Sequence, residues 1–197
     1  MTAAMISRPV YPGLSPDQYA KTHLILCEGE GAAAVLDMAA KAPKEFFSRA
    51  LILFCPAGTG YEPKLAALSP KSLWVLPTIA TAMFRLRGVL ATATMGTRVY
   101  AAGTEPFIGS VLQETLAVGI DHKSVFTEHR GSAKRRVQCV HCKGCTDDVT
   151  ASPFTCTHCG LTLFVRDHYS RRLGAFQGVC VDAEVPGEVP PVEELYR

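Results

Sequence analysis

Two short cysteine fragments carry the clearest chemical signal in the sequence. They read Cys139-Val-His-Cys142-Lys-Gly144 and Cys156-Thr-His-Cys159-Gly160, and thirteen residues lie between Cys142 and Cys156. A C-x-x-C turn brings two thiolates to one ion, and a following glycine permits the positive φ that points backbone N–H groups at sulfur. Four soft thiolates select zinc and leave no position for a substrate. The sequence therefore predicts a structural zinc site with four ligands: Cys139, Cys142, Cys156 and Cys159.

A further cysteine in the first fragment keeps an iron alternative open. Cys139, Cys142 and Cys145 match the first three positions of the bacterial ferredoxin pattern C-x2-C-x2-C-x3-C-P, but Val149 stands at the fourth position. An iron–sulfur cluster would therefore need a fourth ligand from a distant part of the chain. We expect structural zinc rather than an iron–sulfur cluster or a rubredoxin-like iron, because the paired turns are the tighter pattern.

The remaining cysteines and the histidines of the turns are expected to have no catalytic role. Cys27 and Cys55 lie at the ends of apolar runs and fit small buried hydrophobic residues. His141 and His158 stand between thiolates that would hold the ion, so we expect them to point away from it. The sequence assigns no role to Cys180.

A basic and aromatic stretch follows the second cysteine turn. Its candidates for contact with a partner are Arg166, Tyr169, Arg171 and Arg172, because arginine offers bidentate and stacking contacts to anionic or planar groups. The alternative is that this stretch is a surface docking strip or an ion-pair network within the zinc module, and we favour this alternative. Residues 121–180 carry a net charge of +4, and residues 181–197 a net charge of −4.

Composition excludes several broad classes. The chain has 197 residues, with 20 Lys and Arg against 18 Asp and Glu, 48% hydrophobic and 19% charged residues. It is neither a disordered tail nor a strongly basic nucleic-acid binder. The N-terminus does not resemble a secretory signal, and Pro77 interrupts the longest apolar candidate, residues 73–84. We expect a cytoplasmic protein that binds neither membrane nor nucleic acid.

The elements that must position these residues form an α/β pattern. Short apolar runs predict strands at 23–27, 50–54, 72–76, 98–101 and 124–126, and helices at 32–41, 79–87 and 106–118 lie between them. This order predicts a small, open, mostly parallel sheet. From the sequence we predict four segments: an extended arm at 1–20, an α/β domain at 21–130, a zinc-ribbon-like module at 131–180 and an acidic tail at 181–197.

The turns after three of these strands are where such sheets bind nucleotides. They contain glycines but neither the G-x-G-x-x-G fingerprint nor a phosphate loop, and Glu28 and Glu30 would repel a pyrophosphate. We interpret the glycines as turn and cap residues.

The C-terminal stretch resembles a known family. The two cysteine turns and the run VRDHYSRRL, together with RPVYP near the N-terminus, look like the small A subunit of bacterial dimethylamine monooxygenase. The resemblance implies a multisubunit enzyme that uses NADPH and O2 to convert dimethylamine to methylamine and formaldehyde. It also implies that other subunits of this enzyme carry the cofactors. These are heme on a heme subunit, FMN and a [2Fe-2S] cluster on a flavin/iron–sulfur reductase subunit, and tetrahydrofolate on a folate-binding subunit.

A second resemblance covers the α/β body. Residues 97–128 are similar to the last strand–helix–strand of the ferredoxin-reductase nucleotide lobe, but the turn Ala102-Gly103-Thr104 lacks that family's Cys and Pro. This departure favours a degenerate lobe kept as a docking scaffold. We expect a non-catalytic accessory subunit that docks the heme and flavin subunits. The alternative is an electron-transfer or NADPH-binding reductase component.

Overall fold

A computed structural model describes residues 7–197. The chain divides into two compact units. The α/β unit is Tyr11–Gly131, and the C-terminal unit combines residues 7–10 with residues 132–197. The predicted arm therefore divides between the units within its described part, and residues 1–6 of that arm lie outside the described residues.

The α/β unit is built on a five-stranded sheet. Its strands are β1 (Thr22–Glu28), β2 (Ala50–Cys55), β3 (Ser72–Val75), β4 (Thr97–Gly103) and β5 (Val125–His129). They lie in the order β3-β2-β1-β4-β5, and every neighbouring pair is parallel. The predicted open parallel sheet is confirmed.

Helices cover both faces of this sheet. They are α1 (Gly31–Ala39), α2 (Glu62–Ala67), α3 (Ile79–Leu90) and α4 (Glu105–Ala117). Alternate residues of β1 enter separate cores: Leu24 packs in the cluster with α3 and α4, and Ile25 in the cluster with α1. Because both faces are buried around the central strands, residues 24–27 of β1 and 50–55 of β2 are continuously apolar. The sequence did not predict α2, a six-residue helix with one buried side chain, Leu65.

The C-terminal unit contains short strands around a small core. They are β6 (Arg135–Cys139), β7 (Cys145–Val149), β8 (Ala151–Ser152), β9 (Phe154–Thr155), β10 (Thr162–Ser170), β11 (Ala175–Cys180) and β12 (Glu193–Glu194). One sheet has the order β7-β6-β11-β10-β9, in which only the β6–β11 pair is parallel. Along β10, buried Leu163, Val165 and Tyr169 alternate with exposed Phe164 and Arg166.

The acidic segment at the C-terminus includes a short paired strand. β12 pairs with β8 in an antiparallel ladder, and the backbone N–H groups of Leu195 and Tyr196 both donate to the carbonyl oxygen of Thr150. The last residues of the predicted acidic tail are held by these bonds. Among the described residues, no helix combines the length and apolar character that a membrane crossing requires.

Candidate metal centre

The first cysteine turn joins β6 to β7. Cys139 is the last residue of β6, its N–H donates to the carbonyl oxygen of Gly144 (2.9 Å), and the N–H of Lys143 donates to the carbonyl oxygen of Cys139 (2.9 Å). The residue with positive φ is Lys143 (65°), not Gly144. The backbone role that the sequence assigned to the glycine is therefore held here by a lysine.

Gly144 is required for a different reason. A Cβ atom at this position would lie 2.5 Å from ring atoms of His158. The His158 Nε2 atom lies 2.8 Å from the carbonyl oxygen of Cys145. His158 thus links the second cysteine turn to the first instead of reaching the sulfur atoms, as expected. The sequence contained both residues but gave no signal that they touch.

The second cysteine turn joins β9 to β10 with matching hydrogen bonds. The N–H of Cys156 donates to the carbonyl oxygen of Leu161 (2.9 Å), and the N–H of Gly160 donates to the carbonyl oxygen of Cys156 (3.0 Å). Gly160 has φ of 75°, a conformation that glycine adopts without a Cβ clash. In this turn the glycine has the predicted backbone role.

The two turns bring four sulfur atoms together. The Sγ atoms of Cys139, Cys142, Cys156 and Cys159 all lie within 4.8 Å of one another. The Cys139–Cys159 and Cys142–Cys156 sulfur pairs are each 3.8 Å apart, too far for a disulfide. Zn–S bonds of ~2.3 Å in a tetrahedron place sulfurs about 3.8 Å apart. The four cysteines can therefore bind a single metal ion.

Hydrogen bonds favour the metal-binding thiolate form of one of the four cysteines, Cys156. Burial raises the pKa of Cys156, but N–H groups of Cys159 and His158 and two neighbouring thiols outweigh it and lower that pKa to about 6. The N–H of Leu161 lowers the pKa of the Cys159 thiol, but burial and hydrogen bonds with the surrounding thiols raise it by more. The net effect is a raised pKa for Cys159. One sulfur of the group is thus set up to lose its proton first.

The other cysteines lie outside this group. Cys145 begins β7 and is not among the four clustered sulfurs, so the geometry does not supply the third ligand that the ferredoxin pattern requires. The Cys180 thiol donates to a carboxylate oxygen of Asp182 (3.1 Å). Cys27 and Cys55 are buried in the α/β unit, and burial raises both thiol pKa values, that of Cys55 to about 11.

The four predicted partner-contact residues lie in different environments. Tyr169 is buried, with 7% of its surface exposed, and its ring packs edge-on against Phe176. Arg166 is exposed on β10, and Arg171 and Arg172 are exposed in the turn between β10 and β11. The structure therefore leaves the three arginines at the surface and places the tyrosine in the core.

The strand-end turns of the α/β unit form a second place where chemistry could occur. A Glu28 carboxylate oxygen accepts hydrogen bonds from the N–H (3.1 Å) and the hydroxyl (2.6 Å) of Thr104, the N-cap of α4. The Glu30 carboxylate accepts one from the Tyr61 hydroxyl (2.6 Å). Carboxylates of the chain itself thus lie where a parallel sheet of this type would receive the phosphates of a nucleotide.

Comparison with known families gives this architecture a context. Residues 3–125 match the family model "Dimethylamine monooxygenase subunit DmmA-like, N-terminal domain", and residues 136–179 match the corresponding C-terminal domain. The chain belongs to the DmmA-like family. The resemblance to this subunit family that the sequence indicated is confirmed. All four clustered cysteines lie within the C-terminal match.

One curated protein is similar to this DmmA-like chain over about half of its length. The delta subunit of the heme-dependent oxidative N-demethylase of Ectopseudomonas mendocina (strain ymp) is 37% identical over 110 residues. The match spans 56% of this chain and 63% of that subunit.

Partial likenesses to solved structures are weaker. Full-length CYP116B46 from Tepidiphilus thermophilus aligns with a TM-score of 0.45 and 18% identity, over 66% of this chain and 19% of that one. A flavohemoglobin from Malassezia yamatoensis aligns with a TM-score of 0.41 and 15% identity, over 58% of this chain and 33% of that one.

Proposed function

We propose that this chain is a non-catalytic accessory subunit of a multisubunit, NADPH- and O2-dependent dimethylamine monooxygenase. The observation that carries the proposal is the family match over residues 3–125 and 136–179. The similarity to an oxidative N-demethylase subunit supports it. In the reaction proposed for the complex, dimethylamine gives methylamine and formaldehyde. One oxygen atom of O2 leaves in formaldehyde and the other in water, and NADPH supplies two electrons.

The metal proposed for the cysteine centre is zinc with a structural role. The set of four thiolates is complete, so the ion would have no open position for a substrate. The closeness of all four sulfurs, within 4.8 Å of one another, supports a single ion, because a multinuclear cluster separates the thiolates that bind different irons further. The ion would hold the β6–β7 and β9–β10 turns together in a zinc-ribbon-like module.

The chain's own contribution is proposed to be docking. Its partners would be the subunits that carry heme, FMN with the [2Fe-2S] cluster, and tetrahydrofolate, in the cytoplasm. Arg171 and Arg172 support a docking role because both are exposed at the tip of the β10–β11 hairpin, where bidentate contacts to carboxylates are accessible. Arg166 is the third candidate contact.

Co-expression tests the docking proposal. Affinity-tagged full-length chain should co-purify with the heme and flavin subunits in a fixed ratio, measured by native mass spectrometry. The double substitution Arg171→Glu with Arg172→Glu should weaken that association. A matched control is Lys41→Glu with Lys44→Glu, the same charge change at exposed positions of the α/β unit. A wild-type chain that stays monomeric under co-expression would overturn the proposal.

The second candidate function is an NADPH-binding reductase component with a degenerate ferredoxin-reductase-like lobe. The parallel order β3-β2-β1-β4-β5 supports it, since ligands of such sheets bind where the strand order reverses. The Glu28–Thr104 bonds oppose it, because a fixed carboxylate lies at the N-terminus of α4. Titration of the chain with NADPH, followed by nicotinamide fluorescence, separates the two: saturable binding favours the reductase component.

A further inference from the structure

The C-terminal unit contains a cavity of about 930 Å³ that the metal centre does not use. Its walls include Phe164, Arg166 and His168 from β10, together with Leu195 and Tyr196 from the C-terminal segment. Small-molecule sites occupy about 300–1,000 Å³, with apolar walls and a few convergent polar groups. This cavity has the size and the mixed lining of such a site.

The side chains that line the cavity give it a positive character. Three arginines and one aspartate contribute to the wall. Arg8 and Arg135 both pair with that aspartate, Asp167, and the Arg135–Asp167 distance is 2.9 Å. The Arg135 guanidinium is also held between the rings of Phe176 (3.9 Å) and Tyr196 (4.0 Å). Two of the three arginines are therefore committed to contacts within the chain.

Arg166 is the arginine that remains available. Its guanidinium has no hydrogen-bond or ion-pair partner within residues 7–197, and it lies beside Phe164, which is 45% exposed. An adjoining cavity of about 680 Å³ shares Arg166 and Phe164 but is also lined by Glu184 and Glu188. Those carboxylates disfavour an anion there, so an anion that Arg166 holds belongs in the larger cavity.

We propose that the larger cavity binds a planar organic anion, with its carboxylate or phosphate on Arg166 and its ring against Phe164 and Tyr196. A guanidinium donates two parallel hydrogen bonds to either anion, and aromatic walls favour a flat apolar body. Every residue in its wall belongs to the C-terminal unit, so the site can be tested on this chain alone.

Titrations followed by amide NMR of the full, metal-loaded chain test the site. The probes are benzoate, its neutral isostere benzamide, phenyl phosphate and inorganic phosphate. Benzoate or phenyl phosphate should shift the amides of residues 164–166, 177 and 196 in a saturable manner. Benzamide should bind about tenfold or more weakly than benzoate, because it lacks the charge-assisted hydrogen bonds. Inorganic phosphate should bind more weakly than phenyl phosphate, because it has no ring.

Matched variants assign the contacts. Arg166→Gln should weaken benzoate binding about tenfold or more, whereas Arg171→Gln, the same change at an exposed arginine outside both cavities, should leave it unchanged. Phe164→Leu should weaken benzoate but not inorganic phosphate. The proposal is overturned if neither aromatic anion binds saturably, if benzamide binds as well as benzoate, if inorganic phosphate equals phenyl phosphate, or if both arginine variants lose binding equally.

Discussion

Removal of the metal from the four-cysteine centre should unfold the C-terminal unit and leave the α/β unit folded. At the 3.8 Å between the Cys139 and Cys159 sulfurs, two thiolates repel by about 4 kcal/mol at an effective dielectric constant of about 20. A bound ion offsets this repulsion between all the sulfurs. Structural zinc contributes ~10–16 kcal/mol of apparent binding free energy, as much as the ~5–15 kcal/mol that stabilises a whole domain. The C-terminal unit should therefore unfold when the ion is removed.

Hydrogen exchange with mass spectrometry, before and after chelation, measures this effect by region. Amides of residues 132–197 should lose protection, while those of the α/β strands keep it because two apolar clusters hold that unit. Metal analysis should give one zinc ion per chain. Cys142→Ser should reproduce the effect of chelation, and Cys180→Ser, a change in the same unit outside the sulfur group, should not. Retained protection of 132–197 after complete removal of metal would refute the reasoning.

Three further predictions concern individual side chains. Arg135→Met should destabilise the C-terminal unit by about 2 kcal/mol in denaturant unfolding, because it removes two ring contacts and an ion pair. The control for this prediction is Arg197→Met, which removes an ion pair whose arginine side chain is 80% exposed and should change the free energy of unfolding by less than about 0.5 kcal/mol. Burial lowers the pKa of His23 to about 4 from an ordinary value of 6.5. Neutral His23 should therefore contribute its full stabilisation to the α/β unit above pH 6.5. As the pH falls to 4, the free energy of unfolding should decrease by up to about 3 kcal/mol, because His23 takes up a proton in the unfolded state at a higher pH than in the folded state. His23→Asn should flatten that dependence, and an unchanged pH profile would contradict the assignment. Glu28→Gln should lower the melting temperature of the α/β unit, because a charged acceptor of two hydrogen bonds is lost; an unaltered thermal scan would show that this carboxylate does not hold the turn.

The parallel sheet could be read from the sequence because its pattern is local. A strand buried on both faces must be apolar along its whole length, and residues 23–27 and 50–54 are such runs within β1 and β2. α2 was missed because six residues with one buried leucine carry no measurable helical period.

The cysteine centre was predictable as a set of residues but not as an arrangement. The C-x-x-C spacing identified the four cysteines that the structure brings within 4.8 Å. It did not show that Lys143 takes the positive φ of the first turn, or that Gly144 makes room for His158. Both features depend on how one turn packs against the other, which residue spacing within a single turn does not encode.

The sequence by itself determined the strands and the three longer helices of the α/β unit, the four clustered cysteines and the family, because each rests on local periodicity, spacing or motif. Only the tertiary structure decided which charged groups are satisfied. Asp167 pairs with Arg8 and Arg135, residues far from it in the chain. Arg166, its immediate neighbour, lines a cavity, and its guanidinium has no ion-pair or hydrogen-bond partner in the part of the chain that the structure describes. The physical reason is that the neighbours of each side chain are fixed by the pairing and packing of distant segments, which bring Arg8 and Arg135 to Asp167, and the local sequence around β10 does not encode them.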